Sequence, residues 1–180
     1  MLKILLFAAI AGLSLPSAGD GPPAAVAQRD DAAILRSFEE AVVADIACAQ
    51  LAVERGHSAD VRNFAKNLVA EHGLARQLAR DVAVQLNVTM RPNANNARAA
   101  EHEKVQKALR ERPDAAFDIL FLRHEVEYHQ ELVNSINKEW LPAAKAEELS
   151  GLLSQVGPAF EAHVAMARQL WEKRRPGGSP

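Results

Sequence analysis

Between Ser58 and Leu86 apolar or small side chains return at Val61, Phe64, Ala65, Leu68, Ala75, Ala79, Val82 and Leu86, three and four residues apart. That is the period of one helix face turned toward a core. It constrains the chain more than any other feature, because a face this long needs other helices to cover it. The position between Leu68 and Ala75 that should be apolar is His72. An imidazole inside such a stripe is either a hydrogen-bonded core residue or a ligand.

The neighbouring segments supply the cover. Asp30 or Asp31 is expected to cap a first helix that runs to about Arg55, with Ile34, Phe38, Val42, Asp45, Ala49 and Ala52 inward. Gly56 ends it and Ser58 caps the second helix. A link as short as Gly56-His57-Ser58 makes the two helices antiparallel neighbours. Asn87 to Asn96 is the main break, with Pro92 unable to continue a helix. Ala97 to Arg110, with Glu101-His102-Glu103-Lys104 at its middle, reads as a short surface helix that adds little to the core.

Pro113-Asp114 starts a third long helix, reaching about Glu139. It shows two apolar rows: Phe117, Phe121, His124, Tyr128 and Leu132, and Leu122, Val126, His129, Val133 and Ile136. A fourth, from about Ala144 to Lys173, turns Leu149, Leu152, Leu153, Val156, Phe160, His163, Ala167 and Leu170 inward. Gly157-Pro158 predicts a kink within it. The fold expected is all-α: an up-down four-helix bundle with a short extra helix in the middle connection.

Composition agrees with that fold and narrows the function. Hydrophobic residues are 48%, charged residues 24% and aromatics only 5%, which suits close-packed helices better than a β-sandwich. With 21 basic and 23 acidic residues the net charge is -2, so no basic surface for nucleic acid is expected. Cys48 is the single cysteine, so no intrachain disulfide or multi-thiolate zinc site can form. Its place near the inward stripe predicts a shielded, inert thiol.

Residues 1–27 read as a secretory signal peptide: Lys3, the apolar run Ile4 to Leu15, Pro16, and Ala25-Val26-Ala27 before Gln28. The run is too short to span a bilayer, which takes about 20 residues, and no later segment is long enough either. The expected organisation is a leader over 1–27, a helical domain over 28–173 and a polar tail over 174–180, in a protein exported to the periplasm or cell envelope. Neither a protein partner nor an oligomeric state is legible.

No motif names a reaction. What the bundle interior can receive is one polar side chain from each long helix: Asp45, His72, His124 or His129, and His163. A carboxylate and several imidazoles converging from different helices suit a divalent transition metal. Glu71 and Glu125 stand where they could orient such ligands, Glu125 one turn before His129. Counted from the helix ends at 1.5 Å per residue, Asp45 and His72 share a level. On the other hairpin His129 and His163 come out on the order of 12 Å apart, so His124 is expected to match His163 better. The Glu-x-x-His pair of di-iron bundles occurs once, at Glu54 and His57, at a helix end, so that chemistry is not expected.

Several runs also resemble the domain-of-unknown-function 4142 family of exported, ferritin-like bacterial proteins. They are Asp45-Ile46-Ala47, Leu51 to Arg55, Val61 to Ala65, Leu68 to His72, Phe117-Asp118 followed by His129, and Gly157-Pro158 followed by His163 and Ala167. The resemblance spans Phe38 to Leu170. It implies a ferritin-like fold, an envelope location, and a set of characteristic residues at His72, His129 and His163, with Asp45 where Glu is commoner. Three functions stay open: a metal-binding module, a structural or stress-protective protein whose histidines fill the core, and, last, a metal-dependent oxidoreductase.

Overall fold

The computed structural model of the protein describes residues 24–91 and 97–174. The expected leader, apart from its last four residues, lies outside the described residues, as do Pro92 and the tail beyond Arg174. Every regular element among the described residues is helical: α1 (Ala24–Arg55), α2 (Ala59–Gln85), α3 (Ala97–Glu111), α4 (Asp114–Ser135), a π-helical turn (Ile136–Trp140), α5 (Leu141–Ala143) and α6 (Glu147–Glu172). None of these helices is long and apolar enough to cross a membrane.

The four long helices close a ring, α1 on α2, α2 on α6, α6 on α4 and α4 on α1, while α3 lies across α1 and α4. The stripes read from the sequence are the buried faces, although α2 ends its stripe at Ala83, with Val82 only partly buried. Two apolar clusters result. One holds Leu35, Phe38, Ala79, Leu132, Trp140 and Leu153, the other Ala52, Phe64, Leu68, Phe117, Phe121 and Leu170. Each long helix crosses from one cluster to the other at a polar position: Asp45, His72, Glu125 with His129, and His163. The core is thus two apolar blocks with a polar layer between them.

Helix carboxylates that hold loop backbones fix how the helices meet. Asp118 of α4 accepts the backbone N–H groups of His57 at 2.8 Å and Ser58 at 2.9 Å, together with the Ser58 hydroxyl. Ser58 does occupy the N-cap of α2, but its side chain makes no cap bond. The acceptor for the α2 start comes from α4 instead, where a carboxylate also suits the positive end of the helix. Arg174 joins this corner, donating to Ser58 Oγ at 2.8 Å and to Asp60. Asp31 performs the same task at the other end. It does not begin α1, which already starts at Ala24, but accepts the N–H groups of Lys145 and Ala146 at 2.9 Å each, just before α6.

Two local features close the hairpin ends. A Cβ at Gly56 would stand 2.6 Å from the Ala52 carbonyl oxygen, so only glycine lets the chain turn that tightly. Asn87 takes φ of 54°, and the Val88 N–H returns to the Ala83 oxygen at 2.8 Å. This is a left-handed helix stop that asparagine tolerates. Pro158 stands inside α6 without ending it.

One expectation is overturned. The segment over α3 is not merely a surface helix, because His102 and Leu109 are buried against the bundle. Its charged residues hid a buried side.

Candidate metal centre

The polar layer draws one or two side chains from each long helix. His72 Nε2 lies 3.0 Å from His129 Nε2, and His163 Nδ1 lies 3.2 Å from the same atom. Asp45 Oδ2 stands 3.1 Å from His72 Nε2 and 3.8 Å from His129 Nε2. The three histidines therefore meet, a ring nitrogen of each within 4.8 Å of the others, and Asp45 approaches His72 and His129 from one side. His72, His129 and Asp45 are 0% exposed and His163 is 6%.

His129, not His124, is the partner of His163, contrary to the level count. The count failed because the connection is longer than it reads. A π-helical turn and α5 carry the chain on to Ala143, and α6 begins only at Glu147. His129 is then fourteen residues from the end of α5 and His163 sixteen from the start of α6, a mismatch of about 3 Å at 1.5 Å per residue.

Outer partners fix which nitrogen of each ring faces inward. His129 Nδ1 faces the backbone oxygen of Glu125 at 3.1 Å, so it carries the proton and leaves Nε2 with its lone pair. The Glu125 carboxylate stands 3.3 Å from the same nitrogen. His163 Nε2 faces Glu71 Oε2 at 2.6 Å, so it too is protonated and leaves its Nδ1 lone pair inward. Glu71 is adjacent to His72 in the chain yet serves the histidine of α6. His72 stacks on Phe160, ring centroids 5.0 Å apart, and its Nδ1 has no hydrogen-bond partner.

Burial sets the protonation of the layer. It holds His72 well below the usual histidine range, with the His129 and His163 rings adding to the effect. His129 is lowered by burial against the opposing pull of Asp45, and His163 by burial and then by His129. The carboxyls move the other way. Burial pushes Glu125 up to about 8, and burial followed by the Glu125 charge carries Asp45 well above its ordinary value. Neither carboxylate makes a well-formed hydrogen bond to the rings beside it, and an oxygen of each lies within 4.8 Å of the other and of a His124 ring nitrogen. Metal-free, the layer is a set of neutral imidazoles beside two carboxyls competing for protons.

Such a layer is costly. Each buried polar group without a partner forfeits about 1–3 kcal/mol, where a leucine would have joined the two apolar blocks. The donor set has the composition of a transition-metal centre: three neutral imidazole nitrogens, one carboxylate oxygen, and outer hydrogen bonds that aim two of the rings. A divalent ion among the three rings would meet the inward nitrogens of His72, His129 and His163 together, with Asp45 beside His72 and His129 as the carboxylate nearest to hand.

The secondary candidates divide. Glu71 and Glu125 take the orienting places expected of them. His124 lies outside the three-histidine group and shares its neighbourhood with Cys48 and His102 instead. Neither Cys48, read from the sequence as a shielded and inert thiol, nor His102 was expected there to be a ligand. The spacing of Cys48 three residues after Asp45, on the same face of α1, was the available signal for the first.

No curated protein and no solved structure matches the chain. The model of one family, Domain of unknown function (DUF4142), matches residues 16–170, a span that takes in all of the layer-forming residues, and the chain belongs to that family.

Proposed function

We propose that this protein is a metal-binding module of the bacterial cell envelope: a ferritin-like up-down bundle that holds one divalent transition-metal ion through Asp45, His72, His129 and His163. The observation that carries the reading is the contact between His129 Nε2 and His163 Nδ1. Two lone pairs face each other at 3.2 Å, and no hydrogen bond can join two acceptors. His72 Nε2 can give a proton to one neighbour only. A cation between the rings removes the conflict. Histidines serving purely as core filling account for the outer partners and for the Phe160 stacking, but leave that contact repulsive. Four protein ligands on one ion also fill a tetrahedral set, the mark of a site that holds a metal rather than turning over a substrate.

Calorimetric titration with Zn(II) tests the reading. The expected result is one ion bound per chain with a proton released, and affinity that climbs as pH rises across the neutral range. The sign follows from the carboxyls. Their raised values keep protons on the Asp45–Glu125 pair in that range, and the ion must displace them. Heat that is independent of buffer ionisation, or binding unchanged in His129→Ala, contradicts it.

The envelope location rests on the leader-like features of residues 1–27. N-terminal sequencing of the protein from the envelope fraction should begin at Gln28; a chain beginning at Met1 overturns the assignment.

A further inference from the structure

On the flank of the polar layer that α3 covers stands a second group of donors. Cys48 of α1 is fully buried, His102 of α3 nearly so, and His124 of α4 is partly exposed. Each offers a ligand atom within 4.8 Å of the other two. Bonds of about 2.1 Å to nitrogen and 2.3 Å to sulfur put the ligands of a trigonal ion about 3.6–3.8 Å apart, so shifts of up to about 1 Å close the set. The rings of His102 and His124 meet edge to face, with centroids 5.0 Å apart.

Independent signs of a ligand lie next to it. Nε2 of His124 is buried without a hydrogen-bond partner, and so are both oxygens of Asp45 and of Glu125. Those two carboxylates form their own potential ligand group with His124. The flank also has an entrance. A cleft of about 370 Å³ between α3 and α4 is lined by His102, His124 and Tyr128 and by the carboxylates of Glu101, Glu127 and Glu131. An acidic mouth above buried imidazoles draws cations inward. Glu101 is the carboxylate there that pairs with a lysine, Lys104, at 2.9 Å.

We propose that Cys48, His102 and His124 form a second metal site, distinct from the three-histidine centre, and that it takes copper. One thiolate and two imidazoles are the trigonal donor set of copper sites that carry a weak additional ligand, and Glu125, an oxygen of which lies within 4.8 Å of a His124 nitrogen, is a candidate for it. The thiol loses its proton to bind, as any metal-held cysteine does. Asp45 belongs to the neighbourhoods of both centres, so the two sites are adjacent and share a carboxylate wall.

The test is optical titration of the metal-free protein with Cu(II), repeated with redox-inert Co(II). An intense thiolate-to-metal charge-transfer band should grow to one equivalent. It should vanish in Cys48→Ser while the far-ultraviolet circular dichroism stays helical, and it should persist in His129→Ala, which removes the other centre. That pairing keeps the two readings separate: loss of the first site leaves this band, and loss of this site leaves the Zn(II) binding described above. Should Cys48→Ser not fold, His124→Gln at its only partly exposed position carries the test, with the band lost or shifted. A parent protein that shows no thiolate band with either metal overturns the proposal, as does a band unchanged in His124→Gln.

Discussion

Loading the three-histidine centre should raise the melting temperature by roughly 8–16 °C. An ion that binds only the folded chain stabilises it by RT ln(1 + [L]/Kd), about 4 kcal/mol when free metal is a thousandfold above Kd, and each kcal/mol moves a domain of this size by roughly 2–4 °C. The rise is large because the metal-free layer has so much to gain. The inward nitrogens of His129 and His163 face each other as lone pairs, and the buried carboxyls of Asp45 and Glu125 make no well-formed hydrogen bond to the rings. In His129→Ala, where the shared nitrogen is gone, this centre's share of the metal-induced rise should vanish whatever the starting stability. A thermal scan of both proteins, with and without Zn(II), reads this directly. An equal rise in parent and variant places the ion elsewhere.

The second large effect concerns the corner clamps. Asp118→Ala should cost about 3 kcal/mol and lower the melting temperature by roughly 6–12 °C. The carboxylate is buried, at 1% exposure, and its loss strands the N–H groups of His57 and Ser58 at the start of α2. Asp118→Asn keeps one oxygen and should recover about half. The clamp lies at the end of the bundle, within the second apolar block rather than the polar layer, so metal stoichiometry should not change. A melting point within about 1 °C of the parent would mean that water replaces the carboxylate at no cost. The contrast with His129→Ala, which removes the metal response, separates the groups that hold the fold from those that hold the ion.

Much of this was legible in the sequence because helices bury whole stripes. The period of Val61, Phe64, Leu68 and Ala75 marks the inner face of α2, and a single interruption at His72 marks the layer. The same holds for Asp45 and His163. What escaped was set by contacts between distant residues. The register of His129 against His163 depends on the π-helical turn after Ser135 and on Asp31, which holds the backbone of Lys145 and Ala146 before α6. Neither is visible in local periodicity. Asp31 and Ser58 were both expected to cap their own helices, yet the useful acceptor at each corner comes from a helix remote in sequence. His102 was masked by Glu101, Glu103 and Lys104 around it, whose exposed charges give α3 the look of a solvated helix. Cys48 read as an inert thiol because burial usually makes one so. Its significance comes from the histidines that α3 and α4 bring beside it.

The polar layer also explains why the bundle core is divided. Leu68 and Ala75 on α2, or Phe160 and Ala167 on α6, lie in separate apolar blocks on either side of a histidine. Filling the layer with leucine would join the blocks. Keeping two buried carboxyls and three crowded imidazoles there costs the chain stability that leucines would supply.

The most direct measurement is elemental analysis of the protein purified as expressed, without chelators and without a histidine tag, beside His129→Ala prepared in the same way. Near-stoichiometric transition metal in the parent, falling by about one ion per chain in the variant, is the predicted result. A parent that is empty, and that stays empty after incubation with iron, zinc, copper and manganese, would contradict the account and leave the histidines as core residues.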